Sequence, residues 1–189
     1  MREDGRASHC SHTLVTEFIR DNYSTVEFDM LDCGVMSGVT YETLKSDDLS
    51  PRYTGIDICG PVLDDCRDRH PTAPWLQMNV LDMAFRSDTF DYVNCRHLLE
   101  MLPYYETAVR ASELFRGARR HVAICMFQVP RAPEKLLRRE TPAGYIWLNN
   151  YAPERFESLL DLLSESVEVV DAAEGYRTER VYFCTKRHP

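Results

Sequence analysis

Residues 28–38, Phe-Asp-Met-Leu-Asp-Cys-Gly-Val-Met-Ser-Gly, constrain the fold of this chain more than any other segment. Apolar residues run into an aspartate, and a glycine-punctuated turn follows at once. That is how a buried strand reads when it delivers a backbone loop to a ligand. Gly34 and Gly38 are two places without a Cβ, where main chain can come close to a bound molecule. A dinucleotide loop of the G-x-G-x-x-G kind needs a glycine at position 36, which here is Met36, and no Gly-Lys-Ser/Thr occurs to make a Walker loop. Taken alone, the segment is equally compatible with a strand followed by an ordinary glycine turn.

The rest of the chain places this loop first in a series of alternating elements. The spacing of apolar residues predicts a helix over His12–Asn22, a strand over Phe28–Cys33 and a helix over Gly38–Lys45. A strand over Tyr53–Ile58, a helix over Val62–Arg69 and a short strand over Trp75–Met78 come next. Phe90–Cys95 reads as a strand, Pro103–Arg116 as a helix and Arg120–Phe127 as a buried strand. Pro153–Ser164 is an amphipathic helix, and Val167–Val170 and Arg180–Thr185 close the chain as paired strands. Strands alternating with helices mean an α/β sandwich around a mostly parallel sheet. Pro130–Gly144, rich in proline and charge, reads as an irregular loop serving a site.

Length and charge exclude several classes. At 189 residues the chain is expected to form one domain over 1–189, with 1–11 as a frayed start. The longest apolar stretch, Val122–Phe127, is too short to cross a bilayer, and no export signal is evident, so a soluble cytoplasmic protein is expected. The net charge of −8, without a basic stripe, argues against nucleic acid as a partner. The seven cysteines are odd in number and lack paired spacing, so they read as small buried hydrophobes, with Cys33, Cys59, Cys95, Cys125 and Cys184 at or near strands. No C-x-x-C occurs; His9, Cys10 and His12 form the one clustered soft-ligand set, and no metal is expected.

Four short segments, in order, carry a family resemblance. Asp32-Cys33-Gly34-Val35-Met36-Ser37-Gly38 resembles the first motif of the class I S-adenosylmethionine-dependent methyltransferases, an acid followed by alternating glycines, with Met36 in the place of the middle glycine. Tyr53-Thr54-Gly55-Ile56-Asp57-Ile58 is similar to the second, and Asp57 stands 19 residues past Gly38, the spacing at which nucleoside folds place a ribose acceptor. Met78–Phe85 resembles the third, with Asn79 where an acid is usual, and Asp88–Val93 matches the Phe-Asp opening of the fourth strand. Asn94–Leu102 resembles the Arg-His-x-Leu-Glu-His segment of small-molecule and glycan methyltransferases, with Met101 replacing the last histidine.

The resemblance covers about Leu14 to Lys186. It implies a Rossmann-like doubly wound fold, its seven-stranded sheet mostly parallel with an antiparallel C-terminal strand, and S-adenosyl-L-methionine as cofactor. It implies cofactor binding by Asp32, Gly34, Met36, Gly38, Asp57, Ile58, Asn79, Val80 and Cys95, with Ile58 on the adenine face and Cys95 offering backbone near the methionine end. His97 becomes the candidate base, and Arg96, Tyr145, Trp147 and Asn149 become candidate contacts for a small-molecule or glycan-like acceptor of O- or N-methyl transfer. Equally, residues 145–151 can be packing for the last helix, and His97 a structural histidine. Two rivals stand: a non-catalytic protein of the same fold serving as a partner subunit, for which Met36 is the main argument, and, ranked lower, a protein or RNA methyltransferase.

Overall fold

A computed structural model describes residues 11–102, 104–141, 144–174 and 177–188. Five helices and nine strands follow one another: α1 (Ser11–Tyr23), β1 (Asp29–Cys33), α2 (Val39–Ser46), β2 (Arg52–Asp57), α3 (Gly60–Arg69), β3 (Trp75–Gln77), β4 (Phe90–Arg96), α4 (Tyr104–Gly117), β5 (Ala118–Met126), β6 (Arg138–Thr141), β7 (Gly144–Trp147), α5 (Pro153–Leu163), β8 (Ser164–Glu174) and β9 (Arg177–Lys186). A 3-10 turn, Leu99–Met101, separates β4 from α4.

Seven strands form one sheet in the order β3-β2-β1-β4-β5-β9-β8. Those from β3 to β5 are parallel, and β9 enters antiparallel between β5 and β8. The expected mostly parallel sheet with an antiparallel C-terminal strand is what the chain adopts. Alternation along the strands builds two cores, because successive side chains leave a strand on opposite faces. Met30, Tyr53, Tyr92, Ala123, Cys125 and Phe183 pack beneath Val15 and Ile19 of α1, Leu44 of α2 and Leu63 of α3. Leu31, Cys33, Ile56, Val93, Val122, Ile124 and Tyr182 pack on the other face against Leu114 and Phe115 of α4 and Phe156 and Leu160 of α5. Covering both faces explains why the second half of β5, Val122–Met126, reads as a continuous apolar run.

The strand order decides where a ligand can sit. From β1 the chain builds outward through β2 to β3, then returns to lay β4 on the other side of β1. The loops leaving β1 and β4 therefore diverge, opening a crevice at the carboxyl ends of the strands.

Three expectations need correction. Residues 130–144 are not a plain loop: β6 and β7 form an antiparallel hairpin pairing Arg138 with Trp147 and Arg139 with Ile146. The charged, proline-broken sequence lacks the period-two alternation that marks a half-buried strand, so the hairpin is invisible locally. Strand β8 runs over Ser164–Glu174, well beyond 167–170, because its residues pair along the length of β9. Cys59 is exposed, as the residue capping α3, whereas Cys33, Cys66, Cys95, Cys125 and Cys184 are buried free thiols.

Gly55, in the middle of β2, is required by packing. A Cβ there would lie 2.6 Å from the indole of Trp75 and 2.9 Å from Val35. Trp75 cannot easily withdraw, since it is buried and its indole N–H donates to the His70 carbonyl at 3.0 Å. Gly55→Ala is expected to lower stability by about 1–3 kcal/mol, the usual cost of overpacking a filled core, measured as the shift in urea midpoint.

Candidate functional site

The loop between β1 and α2 is held in an unusual backbone conformation. Gly34, Met36 and Gly38 all have positive φ, at 75°, 43° and 73°. Glycine meets this without strain at 34 and 38, whereas a left-handed residue with a side chain is disfavoured, so Met36 is held there by its surroundings. One restraint is visible: Asp57 Oδ2 accepts the Met36 N–H at 3.1 Å, while Oδ1 accepts the Cys59 N–H at 2.9 Å. Gly34 donates to the Ile56 carbonyl at 2.8 Å, tying the loop to the end of β2. The Met36 side chain points outward and is 65 % exposed, so it borders the site without filling it.

Two adjoining cavities meet at Gly34. The larger, about 190 Å³, is lined by Gly34, Ile56, Asp57, Ile58, Met78, Asn79, Val80, Leu98, Leu102 and Arg110. Apolar walls with an acid at one end suit a flat heterocycle joined to a diol. Each Asp57 oxygen uses one acceptor direction on the loop and keeps another for a hydroxyl. The Asn79 side-chain oxygen accepts the Leu81 N–H at 3.0 Å, closing an Asx turn that presents this loop to the cavity.

The smaller cavity, about 80 Å³, lies between the loop and the end of β4 and is lined by His12, Asp32, Gly34, Met36 and other loop residues, Thr40, Arg96 and His97. Asp32 is buried and accepts from Tyr53 Oη at 2.8 Å and Asn94 Nδ2 at 2.7 Å. Burial pushes its carboxyl up, against these bonds and one from Thr40. His97, at φ 53°, is another non-glycine residue in the left-handed region.

Beneath His97 lies Glu179 of β9, fully buried. Its Oε1 is 3.0 Å from His97 Nε2, and its Oε2 is 3.3 Å from Arg96 Nη2 and accepts a short hydrogen bond from Ser11 Oγ. Burial alone would raise this carboxyl; the hydrogen bonds from His97 and Ser11 and the charges of His97 and Arg96 outweigh it and hold it at about 2. Arg96 Nε also donates to Ser11 Oγ at 2.9 Å. His97 Nε2, Cys125 Sγ and the Glu179 carboxylate lie within 4.8 Å of one another, a spacing that suits metal ligands. The Arg96 guanidinium on the same carboxylate already places a positive charge beside it, and burial pushes the Cys125 thiol up, away from the thiolate a metal needs.

The expected cofactor residues are thus brought together, with two exceptions. Gly38 lines neither cavity, and a Cβ there would face Cys66 and Trp75 of the core. Cys95 is buried in the core of β4 and lines neither cavity. Ile58, 67 % exposed, stands at the mouth of the larger one. Of the acceptor candidates, Arg96 lines the smaller cavity, whereas Tyr145 and Trp147 lie on the β6–β7 hairpin, with Arg138 over the Tyr145 ring at 4.9 Å. Asn149 is buried and its amide holds the Leu102 carbonyl, while its N–H donates to the Glu100 carbonyl at 2.8 Å.

Sequence reading missed Glu179, Arg110 and the placement of His12. Arg110, buried on α4, pairs with Glu106 at 2.8 Å and leaves Nε without a protein partner among the described residues. No local signal marks Glu179 in its Thr-Glu-Arg setting. His12 belongs to a His-Cys-x-His cluster whose other members, His9 and Cys10, lie outside the described residues.

Burial, then the charge of Arg96, pushes His12 down to about 4. A depressed native pKa means that the unfolded chain takes the proton first as pH falls. His12 therefore costs stability progressively from about pH 6.5 down to 4, and nothing further below. His12→Gln is expected to remove on the order of 2 kcal/mol of that acid sensitivity, read as urea midpoints between pH 7.5 and 4.

Residues 31–120 match the family described as a methyltransferase domain. No curated protein matches the sequence significantly. Among solved structures, an S-adenosylmethionine-dependent methyltransferase from Methanosarcina mazei is 18 % identical with a TM-score of 0.72, covering 90 % of this chain and 98 % of its own. A 1,6-didemethyltoxoflavin-N1-methyltransferase from Burkholderia thailandensis is 13 % identical with a TM-score of 0.74, covering 94 % and 78 %. An amino pentose methyltransferase from Micromonospora echinaspora is 16 % identical with a TM-score of 0.68, covering 97 % and 93 %. Residues 31–120 thus carry a methyltransferase domain, within a fold shared with S-adenosylmethionine-dependent methyltransferases of known structure.

Proposed function

We propose that this protein binds S-adenosylmethionine across the two cavities and methylates an oxygen or nitrogen of a small-molecule or glycan-like acceptor. The observation that carries the reading is the meeting of a nucleoside-sized cavity holding Asp57 and a transfer-end cavity holding Asp32 and His97, at a single glycine, Gly34. Bound there, the cofactor supplies a methyl carbon on a cationic sulfur, which departs as a neutral thioether keeping the carbon–sulfur electron pair.

The chain's own part is to bind, orient and exclude water. Asp57 holds the ribose hydroxyls, Val80 and Ile58 border the base, and the positive-φ loop lets main chain approach the sulfur-bearing arm. Positioning of that kind supplies roughly 7 kcal/mol or more of barrier reduction without any acid or base. An acceptor hydroxyl or ammonium must also lose a proton, and His97 borders the cavity where that proton would leave. Small acceptors are favoured by an acidic chain without a basic stripe and by the acceptors that the similar structures' names carry, 1,6-didemethyltoxoflavin and an amino pentose. No helix among the described residues is long and apolar enough to cross a membrane.

The partner-subunit alternative rests on Met36, and its outward side chain weakens that objection. Calorimetric titration with S-adenosylmethionine tests the binding. Asp57→Ala is expected to weaken affinity about tenfold or more, since hydrogen bonds to a charged group contribute roughly 1.5–3 kcal/mol. Unchanged affinity with the fold intact would reject the placement. Release of S-adenosylhomocysteine across hydroxyl, amine and glycan acceptors, with RNA as control, tests the acceptor class; turnover on RNA alone would contradict it.

A further inference from the structure

We propose that Glu179 and His97 act as a pair, the buried carboxylate holding the imidazole through Nε2 so that Nδ1 receives the acceptor's proton. The assignment deepens the methyl-transfer reading and rests on it. It adds Glu179 as a positioning residue and commits His97 to one tautomer.

The geometry leaves little choice of orientation. His97 N–H donates to the Cys125 carbonyl at 2.9 Å, fixing the backbone in its left-handed conformation. The ring packs edge-on against Phe127 at 5.1 Å between centroids. Nε2 is turned inward, 3.0 Å from Glu179 Oε1 and 3.5 Å from Cys125 Sγ. A carboxylate can only accept, so Nε2 carries the proton between them. Nδ1 is then a lone pair, it has no protein partner among the described residues, and His97 lines the smaller cavity.

The proton balance is simple. The acceptor's oxygen– or nitrogen–hydrogen bond breaks, its proton forms the new bond to Nδ1, and the electron pair stays on the acceptor atom to bond the methyl carbon. His97 becomes an imidazolium whose other N–H faces the Glu179 carboxylate. Every charged or titratable group around it is consistent with that change. Arg96 from β4 balances Glu179 in the resting state. Burial pushes His12 of α1 down and Cys125 of β5 and Glu100 of the 3-10 turn up, moving all three toward uncharged forms. Asp32, across the cavity, is also pushed up by burial. Glu179 is left as the anion in contact with the ring.

Two-bond proton–nitrogen correlation spectra of the histidine rings test this on the purified full chain, with His97 assigned through His97→Asn. The expected result is His97 carrying its proton on Nε2 in the wild type, and a mixture of the two tautomers in Glu179→Gln, whose amide can donate as well as accept. Glu179→Asp should retain the wild-type tautomer, and the wild-type tautomer alone remains informative if Glu179→Gln does not fold. A proton on Nδ1, or an unchanged single tautomer in Glu179→Gln, would overturn the pair. So would stoichiometric binding of added zinc chloride that displaces the Nε2 proton, since the cluster would then be a metal site. Calorimetry with S-adenosylhomocysteine on the same samples separates the two levels. Binding with the wrong tautomer rejects the pair and leaves methyl transfer standing, whereas no binding rejects the methyl-transfer reading whatever the tautomer.

Discussion

Asp32 ties together the elements that frame the crevice. Its carboxyl sits on β1 and accepts from Tyr53 of β2 and Asn94 of β4, with Thr40 of α2 completing the set. These are the strands flanking the point where the sheet reverses its direction of growth. A buried carboxyl without partners would be expensive, and with three donors it instead specifies how the surrounding elements sit. Gly34, two residues on, can therefore present its backbone to both cavities from a fixed position. The positive-φ loop, the Asp57 hydrogen bond to Met36 and the approach of Leu98 all depend on that anchorage.

The transfer end is organised differently, by charges brought from distant parts of the chain. Ser11, Arg96, His97 and Glu179 meet through contacts spanning up to 168 residues of sequence. Glu179 arrives because β9 inserts beside β5, so that Arg180 pairs with Met126 and its neighbour turns into the sheet's buried face. A fully buried glutamate next to the crevice is costly unless its charge is used or paired. Here Arg96 pairs it and His97 shares it, which gives the histidine a fixed orientation that a solvent-facing ring would lack.

The fold was legible because its determinants are local. Apolar strands, Pro51 and His70-Pro71 as breaks, and Gly34 and Gly38 in the turn each act within a few residues. The cofactor half of the site was legible for the same reason: its residues stand at strand ends that periodicity locates. The β6–β7 hairpin was not, since its Arg-Arg-Glu-Thr strand carries no apolar alternation and forms only against its partner. Glu179 was hidden because Thr178-Glu179-Arg180 looks solvated; its burial is a property of β9's position. Met36 was the main argument for a non-catalytic partner subunit, and its backbone angle, invisible in sequence, leaves the side chain outward and exposed. Asn149 looked like a cleft residue through its amide, yet it binds Leu102 and shapes the turn after β4.

The central claim is that one cofactor spans both cavities through Gly34. A crystal structure of the protein grown with S-adenosylhomocysteine tests it most directly. The account predicts the base between Ile58 and Leu98, a ribose hydroxyl within hydrogen-bond distance of Asp57, and the sulfur in the smaller cavity facing His97. Ligand bound elsewhere, or a closed crevice with Met36 turned into the smaller cavity, would contradict it.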